Sequence, residues 1–172
     1  MSFLDKLFGS KTSNETQSND QNEQPFVTVL EHFLSELFSS NSYIARSDYI
    51  SFLSKNSAEI DYLKKLHNDR LLENYCKQNK LNFGKVQTII NDVTAIKDLV
   101  ANHNHAFINN KMNSEKEYLD NILKEVDPAI HLDEDQRKVV LTDEDYCLVI
   151  AGAGAGKTTT VAAQRDSHQD TE

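Results

Sequence analysis

The chain has 172 residues, a formal net charge of −9 and an apolar share of 38%, which allows one domain with a modest core or a small domain with a tail. The acidic balance argues against a module held on nucleic acid mainly by its own field. Its longest basic cluster is Lys64-Lys65, inside a mixed-charge stretch.

In chain order, "MSFLDKLFGS" places Phe3, Leu4, Leu7 and Phe8 at helical spacing. A short amphipathic helix is expected there, either frayed or touching a membrane or a partner groove. Residues 11–24, "KTSNETQSNDQNEQ", hold no apolar residue and read as a disordered linker. From Pro25 the texture becomes helical. Phe26, Val29, Leu30, Phe33, Leu34 and Leu37 share one face. A second segment starts near Ser47 with Tyr49, Ile50, Phe52 and Leu53. "NSAE", Asn56 to Glu59, has the capping-box pattern and should start one long helix carrying Ile60, Leu63, Leu66, Leu71 and Tyr75.

Val86, Ile89, Val93, Ile96 and Val100 then step by three, four, three and four, the spacing of a buried seam. It runs for barely two heptads, which favours a core over a coiled coil between copies. "SEKE", Ser114 to Glu117, suggests another capping box, and Asp127-Pro128 should end the helix that follows. His103 and His105 lack further ligands at metal spacing and are expected to be solvated or capping residues. Cys76 and Cys147 lie far apart, as expected of reduced thiols. No signal-peptide core or membrane-length apolar run is present, and the expected compartment is the cytoplasm.

After Pro128, Asp133 is the expected N-cap of a short helix, with Gln136 three residues on. "YCLVI", Tyr146 to Ile150, has the composition of a buried parallel strand. It leads into "AGAGAGKTTT", residues 151–160. A strand, a glycine-rich turn and a helix make a phosphate-binding loop, because free helix amides and the positive helix end attract anions. Gly152, Gly154 and Gly156 allow close backbone approach, flanked by Ala151, Ala153 and Ala155. Lys157 suits the β- and γ-phosphates of ATP, Thr158 suits Mg²⁺, and Thr159 follows in the same helix turn.

The stretch "LDEDQRKVVL…YCLVIAGAGAGKTTT" resembles the opening of the motor domain in superfamily 1 DNA helicases of the UvrD/Rep type, nearest the branch related to DNA helicase IV. The resemblance implies that alanine is acceptable at position 151. It also implies that Gln136 reads adenine, which a glutamine amide can do by pairing with N6 and N7; the residue can close a capping box as well. It covers about residues 103–163. The implied fold is mainly α: a helical N-terminal region followed by the first strand–P-loop–helix unit of a truncated α/β RecA-like motor domain.

The expected division is a disordered segment 1–24, a helical extension 25–127, the start of the ATP-binding domain 128–163 and a polar tail 164–172. Beyond Thr158 the only acids are Asp166, Asp170 and Glu172, without strand pattern around them. An acid-ended strand and an arginine are needed for hydrolysis. The expectation is therefore an N-terminal fragment of an ATP-dependent helicase, itself inactive and with little or no DNA binding, its tail like that of a frameshifted frame. A helical interaction module with a vestigial loop is the other reading. A complete P-loop kinase or GTPase lacks a later strand to supply the metal-binding acid.

Overall fold

The computed structural model describes residues 25–124 and 126–169. The expected amphipathic helix, the linker and the last three residues of the tail lie outside the described residues. Among the described residues are nine helices: α1 Phe26–Leu37, α2 Arg46–Lys55, α3 Ser57–Asn68, α4 Leu72–Gln78, α5 Phe83–Thr94, α6 Ile96–Ser114, α7 Lys116–Asn121, α8 Glu134–Val140 and α9 Lys157–Gln169. No described helix is long and apolar enough to cross a membrane.

The predicted stripes become the main core. Leu30 and Leu34 from α1, Ile60 and Leu63 from α3, and Leu72 and Cys76 from α4 bury against Val86, Ile89, Ile90 and Val93 of α5 and Ile96 and Val100 of α6. The five-residue seam is thus intramolecular. It crosses a joint at Ala95 without losing its face, because Ala95 N–H still reaches the Asn91 carbonyl (2.9 Å) and Leu99 N–H reaches that of Ala95 (3.0 Å). Phe33 stacks on Phe52 at a centroid distance of 3.8 Å, tying α1 to α2.

The expected long helix from Asn56 to Tyr75 is two helices. At Arg70 the backbone turns left-handed (φ 59°), and Leu71 N–H reaches back to the Leu66 carbonyl at 2.9 Å. This is a Schellman ending built without glycine. The same device ends α4 at Lys80 (φ 55°), where Leu81 N–H meets the Cys76 carbonyl at 2.8 Å.

Neither early capping box forms. Asn56 spends its side-chain amide on the Phe52 carbonyl at 2.8 Å, and Ser114 is still inside α6, with Glu115 as the joint to α7. Helix α7 stops at Asn121, well before Asp127-Pro128, and Leu123 turns left-handed (φ 68°). A second, smaller core follows: Leu119, Ile122, Leu132, Val140 and Ala163.

The buried parallel strand expected at Tyr146–Ile150 is corrected. No strand occurs among the described residues, and Tyr146, Leu148 and Ile150 are 95%, 83% and 87% exposed. The physical reason is the absence of a strand beside it to take up its backbone groups.

The link from α1 to α2 is pinned to α6 by a buried polar clamp. Asn104 accepts from Ile44 N–H and donates to the Ile44 carbonyl, both at 2.9 Å. Next to it His103 Nε2 donates to the Ser42 carbonyl at 2.8 Å, with its ring edge-on to Phe38. Asn104→Leu leaves both Ile44 backbone groups buried and unpaired. We expect a loss of about 2–6 kcal/mol in urea unfolding, from roughly 1–3 kcal/mol for each of the two orphaned groups; an unchanged midpoint would show the clamp to be idle.

Candidate functional site

Helix α8 opens the site. Asp133 is extended (φ −72°, ψ 175°) and accepts from Gln136 N–H at 2.8 Å, while Asp133 N–H donates to Gln136 Oε1 at 2.8 Å. The expected capping box is complete here because the chain enters the helix from outside it. The other end of the Gln136 amide reaches across to the glycine loop, where Nε2 donates to the Ala155 carbonyl at 3.2 Å. The structure therefore brings Gln136 and the loop together across nineteen positions of sequence.

Loop geometry follows the glycines. Gly154 (φ 78°) and Gly156 (φ 71°) hold left-handed backbone that other residues rarely adopt. At Gly156 a side chain would also meet Gln136 Nε2 at 2.5 Å. Ala155 N–H closes a turn on the Gly152 carbonyl at 3.4 Å, and Thr160 N–H returns to that of Gly156 at 2.9 Å as α9 begins.

Lys157 arches back over the loop, its ammonium donating to the carbonyls of Ala151 (2.8 Å) and Gly152 (2.6 Å). The one cation of the loop thus lies at its open side. Phosphate oxygens would offer it charge-assisted hydrogen bonds in place of these neutral ones. Ala153 and Thr158 are exposed and Thr159 is half-buried. Among the described residues no group of three His, Cys, Asp or Glu side chains could hold a metal.

Sequence reasoning missed Thr160 and Gln164, two of the groups that carry the loop. Thr160 is buried, with its hydroxyl on the Gly156 carbonyl at 3.1 Å. Ala163 is fully buried in the second core, and Gln164 donates to the Thr142 carbonyl at 3.2 Å. Helix α9 thus lies on α8 through small residues that carry no distinctive signal. Also missed was the acidic turn before the loop. Glu144 Oε1 accepts from Arg46 N–H (3.0 Å), and Asp145 accepts from Ser47 N–H (2.8 Å) and the Ser47 hydroxyl (2.7 Å). Carboxylates at the first amides of α2 are favoured by the free donors and the helix dipole. No local pattern announces a contact between residues 98 positions apart.

Residues 132–165 match the family profile described as the UvrD/REP helicase N-terminal domain. That stretch spans α8, the glycine loop and the first turns of α9. No curated protein matches the chain, and no solved structure does.

The site rests on α7 through the second core and an ion pair. Arg137 binds the Asp120 carboxylate while its Nε donates to the Leu132 carbonyl at 2.9 Å. The hydrogen bond from Arg137, helped by its charge and those of Lys116 and Lys124, holds the Asp120 carboxyl below its ordinary value of 3.8. A depressed folded value means the contribution is fully present above about pH 4 and is lost as pH falls through the lower folded value. In an acid titration followed by NMR, the contacts between α7 and α8 should loosen in that window. Asp120→Asn should remove this part of the acid dependence. An identical acid profile in the variant would show that the pair contributes nothing.

Proposed function

We propose that residues 128–163 are the nucleotide-binding start of an ATP-dependent DNA helicase of the UvrD/Rep type, nearest the helicase IV branch. The observation that carries the reading is a coincidence of place. The matched family stretch is also where a left-handed glycine turn, a lysine ammonium and the Gln136 amide converge.

In this reading Ala151, Gly152, Ala153, Gly154, Ala155 and Gly156 wrap the phosphates of ATP. Lys157 exchanges its two carbonyl partners for β- and γ-phosphate oxygens, and Thr158 adds one oxygen to Mg²⁺. Thr159 completes the first turn of α9. Adenine recognition by Gln136 uses the same amide that bonds Asp133 and Ala155. The described residues supply a phosphate cradle without the acidic pair that hydrolysis needs. We therefore expect weak ATP binding from this chain, without turnover or unwinding, and DNA binding only in the intact protein. We place this protein in the cytoplasm.

A second reading has a specific observation behind it. The main core is closed within residues 27–100 and takes no member from the loop side. The helical extension, residues 25–127, can on that ground be an interaction module in its own right, with the loop a remnant. Limited proteolysis separates the two: a stable product ending near Asp127 favours the module.

The test of the nucleotide site is an NMR titration of the chain with Mg·ATP. Amide shifts should concentrate at Gly152, Gly154 and Gly156, saturate only well above micromolar ATP, and vanish in Lys157→Ala. Gln136→Ala should cut the preference for ATP over GTP by about tenfold, within the roughly 1–3 kcal/mol of a two-point base contact. No shift at millimolar ATP would refute the site. Micromolar, Mg²⁺-dependent binding would refute its weakness.

A further inference from the structure

We infer that Gln136 is a positioning residue for phosphate: it fixes the orientation of the peptide between Ala155 and Gly156, and so presents the Gly156 N–H to an anion. The inference rests on the nucleotide reading above and gives Gln136 a role separate from base recognition.

The loop does not fix this peptide by itself. The peptide before it is held by Ala155 N–H on the Gly152 carbonyl at 3.4 Å. The one after it is held by Thr160, whose N–H and hydroxyl reach the Gly156 carbonyl at 2.9 and 3.1 Å. Between them, among the described residues, the 155–156 peptide has one hydrogen bond, from Gln136 Nε2 to the Ala155 carbonyl at 3.2 Å. Turning this peptide over changes ψ at Ala155 and φ at Gly156, and glycine accepts either sign of φ. The sequence therefore permits both orientations, and the hydrogen bond from α8 selects one.

The choice decides which group a phosphate meets. In a trans peptide the carbonyl and the N–H point in opposite directions. With the Ala155 carbonyl drawn to α8, the Gly156 N–H faces away from that helix and has no partner among the described residues. Successive backbone N–H groups in a turn make an anion-binding concavity, and a reversed peptide would set a carbonyl oxygen among them.

Gln136 can do this because its amide is itself held. Asp133 N–H donates to Oε1, and the Asp133 carboxylate accepts from Gln136 N–H, both at 2.8 Å. Gly156 admits the close approach, since a Cβ there would lie 2.5 Å from Nε2. A side-chain amide has two N–H donors and two oxygen lone pairs, so bonding Asp133 and Ala155 leaves one of each for a base.

Inorganic tripolyphosphate offers the anion without a base and is the probe. In an NMR titration of the 172-residue chain with Mg²⁺ present, Gln136→Ala should weaken tripolyphosphate binding by about tenfold, the scale of one hydrogen bond to a charged group. GTP should lose the same factor. In the ligand-free variant the Gly156 amide should shift while that of Ala163, in the second core, stays in place, and circular dichroism should show the helix content unchanged. Tripolyphosphate binding that survives Gln136→Ala while ATP binding falls would overturn the inference and leave Gln136 a reader of adenine alone. A displaced Ala163 amide would overturn it too, by making the residue a support for the packing of α9. A wild-type chain that shifts with neither ATP nor tripolyphosphate would remove the nucleotide site, and this inference with it.

Discussion

Backbone N–H and C=O groups in a strand point sideways, whereas a helix keeps its own within the segment, so a strand needs a neighbour and a helix does not. That difference organises this chain. Within residues 26–121 seven helices satisfy their interior backbone groups locally and pack by apolar burial, while the link before α2 takes side-chain partners at Ile44, Arg46 and Ser47. Residues 146–150 have strand composition and no strand beside them, and their largest side chains lie in solvent. The glycine loop follows at once and takes its shape from elsewhere. The left-handed turns at Gly154 and Gly156, the Gln136 amide on Ala155 and the seating of Ala163 in the second core define it.

Two polar contacts add to what the cores join. The carboxylates of Glu144 and Asp145 fasten the approach to the loop onto the N-terminus of α2, which belongs to the helical extension. Arg137 and Asp120 fasten α8 onto α7. Both are charge-assisted contacts at the protein surface, where such pairs are modest in energy and sensitive to acid and salt.

The seam from Val86 to Val100 was legible because burial along one helical face leaves a three-four rhythm, and all five residues are in the core. The capping box at Asp133 was legible as well, and its success explains the failures at Asn56 and Ser114. A cap needs the chain to arrive extended, as at Asp133 (ψ 175°), whereas Asn56 (ψ 20°) and Glu115 (ψ 23°) sit between nearly continuous helices whose amides already have carbonyl partners. The left-handed breaks at Arg70 and Lys80 had no glycine to announce them. The buried strand expected at Tyr146–Ile150 did not form among the described residues, because forming a strand depends on a partner that composition cannot supply. The left-handed turns at Gly154 and Gly156 were legible from the glycine spacing. Their contacts with Gln136, Thr160 and the acidic turn are tertiary and were not.

The most direct measurement is amide hydrogen exchange on the chain in dilute solution, resolved by segment. A loop shaped by helix packing, with no sheet beneath it, predicts slow exchange from Val86 to Val100 and fast, coil-like exchange from Tyr146 to Ile150. Protection of residues 146–150 comparable to that of the seam would mean that a strand forms there after all, and would contradict the account.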